Sequence, residues 1–182
     1  MATLNEQDVH VTVYTYKDGI AARMGHDLKV KAHRVSCTVS AGEGVPFTLD
    51  AVVDPREVKV DCAQAHGRDD TGALSASDKS KINGHIQDDV LQTRRHPEIR
   101  FASTRVTPAG DGFDILGNLT LTGHTRPVHL KAQRAGDRYV AQVRLNQPDF
   151  GIKPFSAPFG VLKIKPDVLV EVSLPADLPG RA

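Results

Sequence analysis

Apolar residues recur at every second position through most of the chain, the spacing of a β-strand buried on one face. In "VPFTLDAVV" the odd positions Val45, Phe47, Leu49, Ala51 and Val53 are all apolar. The pattern returns at Phe113, Ile115, Gly117, Leu119 and Leu121, with Asp114, Asn118, Thr120 and Thr122 on the other phase. It recurs at Tyr139, Ala141, Val143 and Leu145, and at Val168, Val170, Val172 and Leu174. Shorter versions occupy Val9 to Val13, Leu28 to Ala32, Ile99 to Phe101 and Val128 to Ala132. Clusters of Gly, Pro and Asp separate the runs at residues 17–19, 41–44, 108–112, 122–124 and 135–137. Such short connections join antiparallel neighbours, so eight or nine strands of this kind predict a sandwich or a closed barrel.

One stretch changes period. In "SASDKSKINGHIQDDVLQTRRHP", Ile82, Ile86 and Val90 recur at i, i+4 and i+8 beside Leu91, which predicts a helix over residues 76–93. Ser75 or Ser77 suits its N-cap and Pro97 stops it, while Gly84 costs roughly 1 kcal/mol relative to alanine. The preceding "AHGRDDTGALS" is polar and reads as a mobile loop.

The segment "MGHDLKVKAH" raises a chemical question, because it holds two histidines and an aspartate. Leu28, Val30 and Ala32 share one face, with His26 continuing it, while Asp27, Lys29, Lys31 and His33 share the other. Two histidines on opposite faces do not converge on one ion. The apolar phase then moves to Val35, Cys37 and Val39, which predicts a bulge or bend near His33 and Arg34. His26 is therefore read as a residue near the rim of a strand rather than one of a metal pair.

Composition narrows the classes. The 182 residues suit one domain spanning 1–182, and 23 basic against 22 acidic side chains argue against a nucleic-acid partner. No basic stretch with an apolar core opens the chain, and no run of about 18 apolar residues follows, so the expectation is a cytoplasmic protein without stable membrane insertion. Cys37 and Cys62 lie far apart, outside any CxxC pattern, and read as buried reduced thiols.

The eight histidines show no HExxH spacing and no Cys/His knuckle, so no metal site is expected. No GxSxG elbow occurs, the glycine spacing builds no phosphate-cradling loop, and the adjacent pairs Asp69-Asp70 and Asp88-Asp89 diverge. No catalytic set emerges, and the chain is read as a non-enzyme.

From His96 to Leu130 the chain runs "HPEIRFASTRVTPAGDGFDILGNLTLTGHTRPVHL", and near its end "DFGIKPFSAPFGVLKIKPDVLVEV". The His-Pro-Glu-Ile-x-Phe-x-Ser-Thr segment and the run from Gly117 to Val128 resemble the signature of the YceI-like family, lipocalin-like polyisoprenoid-binding proteins. The absent leader, "RMGHDLKVKAH" and "INGHIQDDVLQTRRHP" depart from that family's usual pattern and resemble a leaderless branch. The resemblance implies an all-β fold: an extended eight-stranded antiparallel barrel with an apolar lumen and helical segments near an open end. It also implies binding, sequestration or transport of a polyisoprenoid, isoprenoid quinone or similar lipid, with no cofactor required.

On that basis the expected ligand-binding residues are His26, Leu28, Val30, Phe47, Leu49, Phe101, Phe113, Ile115, Leu119, Leu121, Tyr139 and Val143, with Phe155 and Phe159 at the mouth. Gly117 either opens room for ligand or permits a bulge. The expected partner is a lipid-like small molecule, with a homodimer also open. The alternative is a filled barrel acting as an interaction or stress-response partner through a strand edge or the face carrying Ile82, Ile86 and Val90. A lumen with no cavity above about 300 Å³ favours that alternative.

Overall fold

The computed structural model describes residues 1–42 and 45–177; Glu43, Gly44, residues 178–182 and the side chains of Ala41 and Val45 lie outside the described residues. The strands are Ala2–Leu4 (β1), His10–Thr15 (β2), Lys17–Asp18 (β3), Asp27–Ala32 (β4), Val35–Gly42 (β5), Val45–Val53 (β6) and Val58–Ala65 (β7). Arg68–Asp70 (β8), Ile99–Ala109 (β9), Gly112–Leu121 (β10), His124–Ala135 (β11), Arg138–Asn146 (β12), Lys163–Ile164 (β13) and Asp167–Pro175 (β14) follow. One sheet runs β1-β5-β6-β9-β10-β11-β12-β14-β2-β4-β7-β8, and β3 pairs with β13 in a small second sheet.

The long sheet closes on itself, because two of its strands are bent rather than ended. β4 and β5 are halves of one strand broken only at His33 and Arg34, where the shift of apolar phase predicted a bend. β6 and β7 are halves of another, turned at Pro55–Glu57. β5 pairs with β6 and β4 with β7, so the bent strands form one continuous hairpin. The His33 N–H donates to the Glu57 carbonyl at 2.8 Å and the Asp54 N–H to the Arg34 carbonyl at 3.1 Å, which pins the corner. With β1 and β2 running successively along this hairpin, the ring holds eight antiparallel strands. Closure removes most free edges, the usual hazard of an open sheet.

Beyond the corner β7 diverges from β9, which pairs with β6 only over residues 50–53. The helix Ala76–His85 (α1) packs against β7 there and continues as a π-helical turn, Ile86–Val90. Ser75 is the N-cap: its hydroxyl accepts from the Asp78 N–H while Asp78 accepts from the Ser75 N–H, a reciprocal capping box. Asn83 Oδ1 accepts the Val60 N–H at 2.8 Å and Gln87 Nε2 donates to the Arg56 carbonyl at 3.0 Å. The helix therefore takes over hydrogen bonds that a neighbouring strand otherwise supplies. Gly84 meets nothing within 4 Å and costs only its propensity.

The polar run before the helix is loop only in part: Arg68–Asp70 form β8, while residues 71–75 carry no regular structure. Ala65 pairs with Arg68 across His66 and Gly67, both at positive φ, a two-residue turn that carries β7 into β8. His-Gly lacks the Asn or Asp that marks such turns, so alternation and composition were silent here.

Candidate functional site

The inward faces of the ring enclose a cavity of about 280 Å³. Its walls run from Tyr139 to Leu145 on β12, from Val168 to Leu174 on β14 and from Val9 to Thr15 along β2. Six residues of strand advance roughly 20 Å, so this volume is a narrow channel along the barrel rather than a round pocket. One end is plugged by aromatics: the Phe47 and Phe113 rings meet edge-on at 4.9 Å, and Phe113 meets Tyr139 at 5.3 Å. Leu4 and Val106 pack behind them without lining the channel. At the other end Ile86, Val90 and Leu91 from the helix, with Phe150 and Ile152, close over the channel.

No charged side chain is among the described lining residues; apart from the Tyr139 phenol and the Cys37 thiol, the polar ones are Thr15 and Gln147. Both continue an inward apolar series, Val9-Val11-Val13 and Tyr139-Ala141-Val143-Leu145 respectively. Gln147 is braced: its Nε2 donates to the Lys165 carbonyl at 3.0 Å and its N–H to the Pro166 carbonyl at 2.9 Å. The Thr15 hydroxyl is buried and has no hydrogen-bond partner. An unmet buried hydroxyl costs roughly 1–3 kcal/mol. A polar residue at the end of an inward apolar phase was the available signal for both, and sequence reasoning passed over it.

Of the expected ligand-binding residues, Val30, Leu49, Phe101, Ile115, Leu119, Leu121, Tyr139 and Val143 line the channel. Phe47 and Phe113 point inward but form the plug, because rings this large interlock where strands converge. Leu28 does not line the channel but packs against both the cluster of Val30, Leu91 and Phe150 that closes it and the cluster of Val60, Ala63 and Leu74 beneath the helix. His26 is exposed just before β4 and does not reach the channel. Phe155 meets the His85 ring at 4.6 Å with the two planes tilted by 50°, and Phe159 points wholly into solvent. The space at Gly117 is already taken: a Cβ there would lie 2.4 Å from the Phe101 ring, and the register slips by one residue opposite it. Gly117 thus admits Phe101 rather than ligand.

The helix face carrying Ile82, Ile86 and Val90 packs inward, so it is not a free surface for a partner. At the same end the Thr122 hydroxyl donates to the Phe150 carbonyl at 2.5 Å, tying the β10–β11 turn to the Gln147–Phe150 turn. Gly151, at φ +70°, lies so close to the His124 ring that a Cβ would stand 2.5 Å from it.

Asp61, Cys62 and Asp69 bring two carboxylates and a thiol within 4.8 Å of one another outside the barrel. Their charge is already answered, since Lys31 pairs with Asp61 and Lys29 with Asp69, each at 2.8 Å. Burial and the nearby carboxylates push the Cys62 thiol up, which keeps it protonated and a poor metal ligand. Inside the channel, burial pushes Cys37 up to about 11, so it is no nucleophile at neutral pH.

The YceI-like domain profile matches residues 10–176. The chain belongs to that family. Among curated members, it is 33% identical to a UPF0312 protein of Shewanella denitrificans over 107 residues, 52% of this chain and 56% of that one. It is 37% identical to Protein YceI of Escherichia coli over 75 residues, 36% and 39% of the two chains. The chain thus spans about half or less of the length of these curated relatives. BcnA of Burkholderia cenocepacia superposes with a TM-score of 0.63 at 14% identity, covering 92% of this chain and 96% of its own. A polyisoprenoid-binding domain from Saccharophagus degradans, implicated in plant cell wall breakdown, gives 0.57 at 15% identity over 96% and 97%. These likenesses establish the YceI-like barrel. No described helix is long and apolar enough to cross a membrane.

Proposed function

We propose that this YceI-like barrel binds one slender lipid with a neutral polar head, such as a polyisoprenoid alcohol or an isoprenoid quinone, and sequesters or carries it without chemical turnover. The observation that carries this reading is a long channel without charged lining that holds an unpartnered Thr15 hydroxyl near its helix-covered end. Each methylene moved from water into such a channel contributes roughly 0.8 kcal/mol, so a chain of a few isoprene units supplies micromolar affinity by itself. A diphosphate has no cation to meet in the channel, whereas a carbonyl or hydroxyl matches Thr15 one to one. The polyisoprenoid binding of the Saccharophagus neighbour supports the same ligand class. A volume near 280 Å³ falls just below the roughly 300 Å³ expected of a ligand site, so size alone favours the filled-barrel alternative. The channel's length and the unmet hydroxyl favour the lipid.

The test is native mass spectrometry of gently purified protein, then calorimetric titration with a polyprenol and an isoprenoid quinone. Thr15→Val is expected to raise the stability of the empty barrel by about 1 kcal/mol and to weaken quinone binding roughly tenfold. Failure of wild type to retain or bind either lipid returns the reading to a filled barrel.

A further inference from the structure

The lining carries no statement about how a lipid arrives, but the surface beside it does. Two loops leave the helix-covered end of the barrel, residues 17–25 and 153–165, and they are zipped together. Lys17 and Asp18 pair with Ile164 and Lys163, the Ala21 N–H donates to the Val161 carbonyl at 2.8 Å, and the Lys165 N–H donates to the Tyr16 carbonyl at 2.8 Å. The pair is rooted at the two polar residues of the channel. Thr15 lies two residues before Lys17, and Gln147 holds the Lys165 carbonyl.

The tip of this unit presents large apolar side chains to water. Phe159 is 102% exposed, Ile20 97% and Met24 84%, with Val161 also exposed. Isolated exposed residues are ordinary, but four on two joined loops are a patch. Phe159 also sits at φ +60°, a left-handed conformation that a bulky residue adopts reluctantly, so the backbone holds this ring outward against its own preference. Within the two loops the charge is one-sided, although Asp27 accepts the Lys17 N–H and the helix brings Asp89, paired with His85, beside Phe155. Residues 17–25 and 153–165 contain Lys17, Arg23, Lys153, Lys163 and Lys165 against the single acid Asp18, although the whole chain is nearly neutral. Arg23, Lys153, Lys163 and Lys165 are exposed.

We propose that this tip docks the protein on an anionic lipid bilayer. Phe159, Ile20 and Met24 enter the headgroup boundary, the basic side chains meet the headgroup charge, and the helix-covered end of the channel faces the membrane. Apolar side chains ringed by Lys and Arg are what an interfacial contact requires, and the contact is peripheral rather than spanning. The assignment of the channel as the lipid's destination rests on the proposed function; the docking itself does not.

The experiment is co-sedimentation of the full chain with vesicles of phosphatidylcholine alone and of phosphatidylcholine with roughly a third phosphatidylglycerol, neither containing an isoprenoid. Wild type is expected to partition onto the anionic vesicles and to lose most of that binding at about 0.5 M salt. I20D/F159D and K153E/K163E are each expected to reduce the partition coefficient at least tenfold with unchanged melting temperature, since all four residues are exposed. Equal binding by wild type and both variants overturns docking. So does a loss of self-association in I20D/F159D without loss of vesicle binding, which assigns the tip to a second copy of the chain. Val143→Trp, which fills the channel, is expected to sediment like wild type, so failure of the channel reading leaves docking standing.

Discussion

The two ends of the barrel are built from the same alternating strands and do opposite things. At one end Phe113 interlocks with Phe47 and Tyr139, and Leu4 and Val106 pack behind them without lining the channel. At the other, the inward positions hold Thr15, Leu121, Leu145 and Gln147, and the space between them is covered by a helix rather than filled by rings. Side-chain volume at equivalent inward positions decides between core and channel. The plugged end is sealed by packing alone; the covered end is sealed by an element with its own cap and its own hydrogen bonds to β7.

The largest test of that contrast is Phe113→Ala. Removing a fully interlocked ring is expected to cost 3–5 kcal/mol, roughly, in urea unfolding while leaving lipid affinity nearly unchanged. An equal loss of affinity would merge the two ends into one functional unit. Val143→Trp is the converse: a stability cost of roughly 1–3 kcal/mol but loss of lipid binding beyond tenfold in titration. The chain has no native tryptophan, so the indole also reports burial by its emission wavelength.

Ser75→Ala removes the helix cap and is expected to cost about 1 kcal/mol locally. Amide exchange should rise across residues 76–90 and stay flat in β10 and β12. The smallest effect concerns the corner that both ends share. The Arg56 guanidinium beside Asp54 holds its carboxyl below the usual carboxylate range, with the Arg56 N–H adding to this. A depressed pKa in the folded state stabilises the protein above the ordinary carboxylate pKa, and that contribution is lost as pH falls through the folded value. In thermal melts Asp54→Asn is therefore expected to lower stability slightly at pH 7, by less than about 1 kcal/mol, with the difference vanishing as pH falls through the lowered Asp54 pKa.

Alternation placed β2, β4, β5, β6, β10, β11, β12, β14 and the start of β9, with the bend at His33 and Arg34, because a shift of apolar phase is visible in one chain; β1, β3, β7, β8 and β13 went unread. It also placed the helix, whose Ser75 cap and stripe of Ile82, Ile86 and Val90 behave as their spacing predicts. Inward direction was equally readable for Leu49, Ile115, Tyr139 and Val143. What periodicity does not encode is depth along the barrel. Phe47 and Leu49 share a phase, yet one belongs to the plug and the other lines the channel.

By itself, then, the amino-acid order determined the strand phases, the helix and the turn positions, because these depend on neighbours a few residues apart. The resemblance around residues 96–130 added the family. Only the tertiary structure decided which inward residues touch empty space, because that depends on how strands far apart in sequence converge. It alone showed that Phe101 fills the hollow at Gly117, that Thr15 has no partner, and that Ile20 and Phe159, far apart in the chain, lie on two joined loops.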